Sequence, residues 1–487
     1  MGKFYITTAI DYVNGPPHIG HAIQKVWADV IARNRRFRGD DVWFLTGTDE
    51  HGVNVVRTAE SSGKTPQELA DMNAAKFRSM REALDLSWDD FIQTTDHKRH
   101  WPGATLLWQR LLEAGDIYKK RYRGFYCAGH EAFITQKDLV DGKCLLHKKA
   151  PEVIDEENYF FKLSKYSEKI RDAIQNDIMR IVPVSRKNEI IEFIKTGLED
   201  VSFSRPTQML SWGIPVPNDA DHVMYVWCDA LTNYISAIGY GRDDGWQKWW
   251  PADLHVLGKD NLRFHAAIWP GMLLAAGLEL PKSLFVHGFI TVDGQKMSKT
   301  VGNVVDPFAL VRQYGTDPVR YYFLREVPSY DDGDFSHQKF EERYASDLAN
   351  GLGNFVARVL TLAAPVDFAG MAKAQESIIE KIEKAKNSVA QKIDEYKFHE
   401  ALAAIWNLIG FGDSYVNDKK PWAMIDEKEK KKALFDLVTI LGAVALLLGP
   451  FLPNTAKKIN DSIVWDGSSL TVKKPDNLFP RLETSNK

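Results

Sequence analysis

Two short basic motifs, far apart in the chain, hold the residue types best suited to chemistry: His18-Ile19-Gly20-His21 and Lys296-Met297-Ser298-Lys299-Thr300. The first follows a strand-like run and would occupy the opening turn of a helix, where free backbone N–H groups and the helix dipole favour an anion. Its two imidazoles add donors for phosphate oxygens, and Gly20 lacks a side chain, so a flat base could lie against the backbone. The second motif follows Asp293-Gly294, a flexible pair that would let Lys296 and Lys299 close over a departing phosphate group and reopen. A nucleophile that is already ionised, such as a carboxylate, would need no general base from this set. Such residues hold a nucleoside triphosphate and offset the charge that crowds its α-phosphate. Singly, the motifs also fit a capped helix and a solvated loop. In this order, on the two halves of one α/β pattern, they describe a site for ATP.

The elements that must position them are legible by periodicity. Phe4 to Ile10 reads as a buried strand, and Ile23, Val26, Trp27, Val30 and Ile31 share a helix face. Val42 to Thr46 reads as a second strand, ending in Gly47-Thr48-Asp49-Glu50-His51-Gly52. Strand, helix, strand implies a parallel, doubly wound sheet of Rossmann type, with ligands at the carboxyl ends of its strands. The rhythm breaks near Gly115 and resumes with strand candidates at Met224 to Trp227, Leu254 to Leu257 and Leu284 to Val286. From about Asp347 the pattern is helical, with Leu348, Leu352, Phe355, Val356, Val359 and Leu360 on one face of a bundle. The expected organisation is a first catalytic half at 1–115 and an inserted connective domain at 116–223. A second catalytic half at 224–290, a loop and linking region at 291–346 and an α-helical domain at 347–487 complete it.

Composition narrows the class. With 487 residues, 44% hydrophobic and 26% charged, the chain reads as a multidomain globular protein. A net charge of −3 argues against a histone-like grip on nucleic acid while permitting a local basic face. Three cysteines cannot build a disulfide framework, so a cytoplasmic setting is expected. The start of the chain reads directly as a strand, without a targeting pattern, and Ile6 stands where a myristoylation motif needs Ser or Thr. The apolar run from Leu437 to Leu452 is too short and too interrupted to span a bilayer, so no membrane partner is expected.

Cys127-x2-His130 and Cys144-x2-His147 have the spacing of a zinc knuckle. Two thiolates and two imidazoles can satisfy a tetrahedral ion.

With these motifs in hand, the chain resembles the class I aminoacyl-tRNA synthetases, and among them the methionyl-tRNA synthetase family of bacterial or organellar type, from Lys3 to about Glu483. The carriers are Tyr12-Val13-Asn14, Pro17 to His21, Gly47 to Gly52, Tyr225 to Ala230, Gly258-Lys259-Asp260, Phe264-His265 and Lys296 to Thr300. The resemblance implies activation of methionine by ATP with Mg2+ and transfer to tRNA(Met). It implies a methionine pocket of Ile10, Tyr12, Asp49, Trp227, Ala230, Tyr234 and His265. Asp49 can hold the ammonium by a charge-assisted hydrogen bond, and the aromatic rings can surround a polarizable sulfur. Leu231 and Asn261 depart from the residues usual in the family. For ATP, the resemblance adds Gly258, Asp260, His287 and Gly288 to His18, Gly20, His21, Lys296 and Lys299. The magnesium ion is carried mainly by the phosphates. Zinc is frequent in the family's inserted domain, commonly with cysteine where His130 stands. Arg358 and Trp422 match anticodon contacts, with Ser346 where asparagine is usual. The chain ends near Arg481, where the family core ends, which points to a monomer.

Four other readings compete. Valine, isoleucine and leucine synthetases need a larger editing insertion, because one methylene gives only about 10–200-fold discrimination. A cysteine enzyme would place thiolate-metal ligands in the pocket, where Cys228 stands alone. A silent tRNA-binding protein would not need both basic motifs, and a small-molecule adenylyltransferase would need neither the second motif nor the helical domain.

Overall fold

The computed structural model describes residues 2–127, 132–134, 136, 139–145, 148–297, 302–465, 470–474 and 477–482. The chain divides into two compact units. One comprises Met1–Pro17, Arg38–Arg81 and Ser87–His287; the other comprises His18–Phe37, Glu82–Leu86 and Gly288–Lys487.

The first unit is built on a parallel sheet. Among the described residues its order is Arg180–Val182, Ser283–His287, Leu254–Gly258, Lys3–Thr8, Asp41–Asp49 and Asp11–Tyr12, with Asp90–Gln93 also paired to Asp41–Asp49. Lys3–Thr8 lies in the middle, and Tyr5, Ile6, Thr7 and Thr8 are fully buried, as a strand covered on both faces requires. The chain runs from this strand to Asp41–Asp49 on one side and to Leu254–Gly258 on the other. The order therefore reverses between Lys3–Thr8 and Leu254–Gly258, and the crevice beyond their carboxyl ends is where such sheets bind ligands. Gly47 is required by close approach: a Cβ there would lie 2.1 Å from the Ile92 carbonyl oxygen.

Residues 116–223 contribute an antiparallel sheet of Val201–Ser202, Glu152–Phe161, Ile117–Cys127 and Ala132–Ile134. Arg180–Val182 lies within this stretch yet pairs in parallel with Ser283–His287 in the main sheet. Three residues carry too little periodicity to be read as a strand. The strand expected at Met224 to Trp227 is displaced. Asp219–Met224 pairs antiparallel with Ser204–Pro206 and Pro215–Val216, and Val226–Leu231 is a helix. A short apolar run does not distinguish strand from buried helix.

The second unit is mainly helical. Ile19–Phe37 buries Ile23, Val26, Trp27, Val30 and Ile31. Phe398–Lys419 packs against both Glu376–Asp394 and Glu427–Leu448, and Gly412 is needed because a Cβ would lie 2.4 Å from the Phe355 ring. The expected face at Leu348, Leu352, Phe355, Val356, Val359 and Leu360 is buried. Arg320, fully buried in Thr316–Arg325, donates to Asp29 Oδ2 (2.7 Å), Leu84 O (2.9 Å), Phe451 O (2.8 Å) and Pro450 O (3.0 Å). Every face of the guanidinium is used, which is the condition for burying a charge. Among the described residues, no helix is long and apolar enough to cross a membrane.

Candidate functional site

In the first unit, strand register sets two of the expected amino-acid-pocket residues side by side. Tyr12 pairs with Asp49 across the Asp11–Tyr12 and Asp41–Asp49 strands, so the candidate ammonium holder sits beside an aromatic ring. Asp49 is buried, and Ile10 packs on the adjoining core. Trp227 and Ala230 lie on Val226–Leu231 and Tyr234 on Asn233–Ser236. The break between these helices falls at Thr232, whose hydroxyl donates to the Cys228 carbonyl at 2.8 Å, a bond that tends to bend helices.

His265 lies in the π-helical turn Phe264–Ile268, a widened geometry frequent at functional positions. Its Nδ1 is 2.9 Å from the Asn261 carbonyl, which can only accept, so the ring proton sits on Nδ1. Nε2 is therefore an acceptor, and the Tyr234 hydroxyl donates to it at 2.6 Å. Burial pushes His265 down to about 4, against the opposing effect of the Asn261 carbonyl, so the ring is neutral at ordinary pH. Burial likewise drives the Tyr234 phenol upward. Trp227 meets His265 edge-on, with ring centres 6.4 Å apart, and stacks on Phe264 at 3.6 Å. Sequence reasoning did not assign Phe264 to the pocket; its signal was adjacency to His265.

The adenosine candidates of this unit also converge. Gly258 pairs with His287 in the sheet, and a Cβ at Gly258 would lie 2.7 Å from Asp260 Oδ1. Glycine leaves that corner open at the carboxyl end of a central strand.

The second unit holds the basic motifs. The His18 and His21 rings stack with centres 3.8 Å apart. Gly20 N–H donates to His18 Nδ1 and His18 N–H donates to His21 Nδ1, both at 3.1 Å. A ring whose Nδ1 accepts carries its proton on Nε2, so each histidine presents an Nε2–H donor. Burial, with the nearby Lys25 charge next, pushes His21 down to about 3. Lys25 is fully buried one turn along the same helix, and sequence reasoning passed over it. A Cβ on Gly20 would lie 2.9 Å from the His18 ring and 3.7 Å from Ile290. Ile290 begins the strand Ile290–Val292, which pairs antiparallel with Gln295–Lys296. Ile19 N–H donates to the Val305 carbonyl at 3.2 Å. The start of the first helix and both flanks of the lysine hairpin thus belong to one packed unit. Lys296 is exposed on that hairpin, its ammonium 5.7 Å from the Phe289 ring centre; Lys299 lies outside the described residues. Gly288 admits no side chain, since a Cβ would lie 2.2 Å from the Asp331 carbonyl oxygen.

Arg358 and Trp422 also come together, the guanidinium 5.0 Å from the indole centre, and Trp422 is 51% exposed. Cys127 and Cys144 are buried in one small cluster with Ile134. His130 and His147 lie outside the described residues.

A doubly wound parallel sheet with these two basic motifs defines a class I aminoacyl-tRNA synthetase. The profile described as "tRNA synthetases class I (M)" matches residues 4–144 and 134–360, and "Anticodon-binding domain of tRNA ligase" matches 375–484. A Methionine–tRNA ligase of Brucella melitensis is 44% identical over 473 residues, covering 94% of this chain and 91% of its own. One from Caldanaerobacter subterraneus subsp. tengcongensis is 42% identical over 506 residues, covering 99% and 79%. The Mycobacterium tuberculosis methionyl-tRNA synthetase in complex with methionyl-adenylate superposes with a TM-score of 0.93 at 38% identity, covering 99% of this chain and 100% of that one. The chain belongs to the methionine–tRNA ligase family.

Proposed function

We propose a residue-by-residue assignment for the activity that this membership carries, methionine–tRNA ligation. In the first step a carboxylate oxygen of methionine bonds to the α-phosphorus of ATP, and pyrophosphate leaves with the electron pair of the broken P–O bond. In the second, a ribose hydroxyl oxygen at the tRNA 3′ end bonds to the acyl carbon, the acyl–phosphate C–O bond breaks, AMP leaves with its electron pair and the hydroxyl proton is released. The nucleophile of the first step is already ionised, so the protein's task is orientation and charge stabilisation.

In the first unit, Asp49 takes the methionine ammonium, and Ile10, Tyr12, Trp227, Ala230, Tyr234 and His265 enclose the thioether side chain. S–aromatic contacts are worth about 0.3–1.5 kcal/mol each. A neutral His265 suits an uncharged sulfur. Gly258, Asp260 and His287 are assigned to the adenosine. In the second unit, His18 and His21 donate Nε2–H bonds to phosphate oxygens; Gly20 and Gly288 permit close approach. Lys296 and Lys299 offset charge on the departing pyrophosphate. Mg2+, bound chiefly through the phosphates, neutralises part of that charge.

Arg358 and Trp422 are assigned to anticodon recognition, where an exposed indole capped by a guanidinium offers a stacking platform for an unstacked base. Zinc is assigned to Cys127, His130, Cys144 and His147; two buried thiols in one cluster fit half of that donor set. The organisation at 1–115, 116–223, 224–290, 291–346 and 347–487, a monomeric state and a cytoplasmic location are proposed with it.

The observation that best supports the pocket is the neutral, hydrogen-bonded Tyr234–His265 pair beside Trp227. ATP–pyrophosphate exchange with each of the twenty amino acids tests the assignment. Methionine alone should stimulate it; stimulation by valine or cysteine without methionine would overturn it.

A further inference from the structure

A second layer of buried polar residues in the first unit, to which the assignments above give no role, joins the elements that carry the pocket. The Asp229 carboxylate lies on Val226–Leu231 between Trp227 and Ala230 and is fully buried. His51 Nδ1 donates to its Oδ2 at 2.5 Å, and His100 Nε2 donates to its Oδ1 at 2.6 Å. His100 Nδ1 is in turn 2.8 Å from the hydroxyl of Ser236, on the helix that bears Tyr234. His51 and His100 are buried as well. Burial alone would raise the Asp229 carboxyl, but the two imidazoles overrule it and hold it below its usual range.

The other end of the connection is equally fixed. His51 stands two residues after Asp49. Between them the buried Glu50 carboxylate accepts from the Thr48 hydroxyl (2.6 Å), Gln93 Nε2 (3.0 Å) and the Thr95 hydroxyl. The Trp212 indole donates to the Glu50 carbonyl at 2.6 Å and meets the His51 ring edge-on at 5.4 Å. The turn carrying Asp49 and the helix carrying Trp227 and Ala230 are therefore joined through one carboxylate whose two oxygens are both used.

We infer that Asp229, held by His51 and His100, is a positioning residue that sets the spacing between the ammonium-binding and side-chain-binding walls of the methionine pocket. This rests on the pocket assignment above. A buried network that is fully satisfied rigidifies its neighbours, and a site whose supporting layer loosens loses productive geometry before it loses its fold.

The test is steady-state ATP–pyrophosphate exchange on the full-length protein, varying methionine and ATP separately. Asp229→Asn places an amide N–H against one of two ring donors. It and His51→Ala should each raise the methionine KM by about tenfold or more, with the ATP KM within about twofold of wild type. His51→Asn keeps an N–H donor near the Nδ1 position and should recover most of the loss. Folded Asp229→Asn or His51→Ala with an unchanged methionine KM overturns the inference. So does His51→Asn behaving no better than His51→Ala, or a rise in both KM values together. Where Asp229→Asn does not fold, the two His51 variants decide. Trp227→Ala separates the two levels of the argument. If it leaves the methionine KM unchanged, the pocket assignment itself fails. If it raises that KM while the His51 and Asp229 variants do not, only the positioning role fails.

Discussion

Tyr234→Phe probes the pocket with the removal of one atom. The Tyr234 hydroxyl donates to His265 Nε2 at 2.6 Å, and each residue is 1% exposed. Phenylalanine keeps the ring and its packing but leaves a buried acceptor nitrogen with no donor. Such a group costs about 1–3 kcal/mol, or about 5- to 150-fold in an equilibrium constant. The Nδ1–H of His265 is already committed to the Asn261 carbonyl, so a change of tautomer would only move the deficit. The ring can escape the cost by tilting, which shifts the wall shared with Trp227, whose ring centre is 6.4 Å away. The cost therefore falls on methionine binding and on stability. In pyrophosphate exchange the methionine KM should rise by about fivefold or more while the ATP KM stays within about twofold, and Tm should fall. A Tyr234→Phe enzyme with wild-type methionine KM and wild-type Tm would refute the reasoning.

Four further outcomes follow from the proposed assignments. His265 titrates near 4 instead of its ordinary 6.5, so its contribution is complete above the ordinary value and is lost as pH falls through the lower one. The methionine KM should be flat from about pH 8 to about pH 6 and rise below about pH 5; a break centred at the ordinary histidine value would contradict a buried, neutral ring. Lys299→Ala should slow adenylate formation strongly while methionine affinity measured without ATP stays near wild type, since its charge matters most as pyrophosphate leaves; the reverse pattern would remove its assigned role. Trp422→Ala should weaken aminoacylation by the about 1–3 kcal/mol of a stacked base and leave tRNA-independent exchange unchanged, with Arg358→Ala behaving alike; equal losses in both assays would make the pair a support of the fold. Protein produced with ample zinc should contain about one ion per chain by elemental analysis, as a single tetrahedral knuckle requires; none would discard the four-ligand assignment.

Much of this is legible in the sequence alone, for identifiable reasons. Buried parallel strands are short apolar runs, and Phe4-Tyr5-Ile6 and Leu284-Phe285-Val286 are continuous ones. The histidine motif shows because Gly20 and the opening turn of a helix fix its position. The segment around Trp227 was less legible, because a run such as Met224 to Trp227 satisfies a strand and a buried helix alike. Arg180–Val182 was invisible in the sequence, since three residues have no period, and only pairing with Ser283–His287 defines it. His51, His100 and Asp229 lie far apart in the chain, and no local spacing marks residues whose only relation is a shared carboxylate.

The Asp29–Arg320 contact spans 291 positions of sequence. On a ribosome adding about 5–20 residues per second, Asp29 can pair early with Arg33, one turn along its own helix at 2.8 Å, but waits roughly 15 to 60 s for Arg320, which completes its burial. Through that interval the apolar face of Ile19–Phe37 lacks the later helices that cover it, in a segment that also bears His21. Synthesis thus passes through a long stage in which a sticky helix with a charge destined for burial must be kept from other chains. A message truncated before Arg320 would release that intermediate permanently, so for this chain the hazard of incomplete translation is aggregation before it is lost activity.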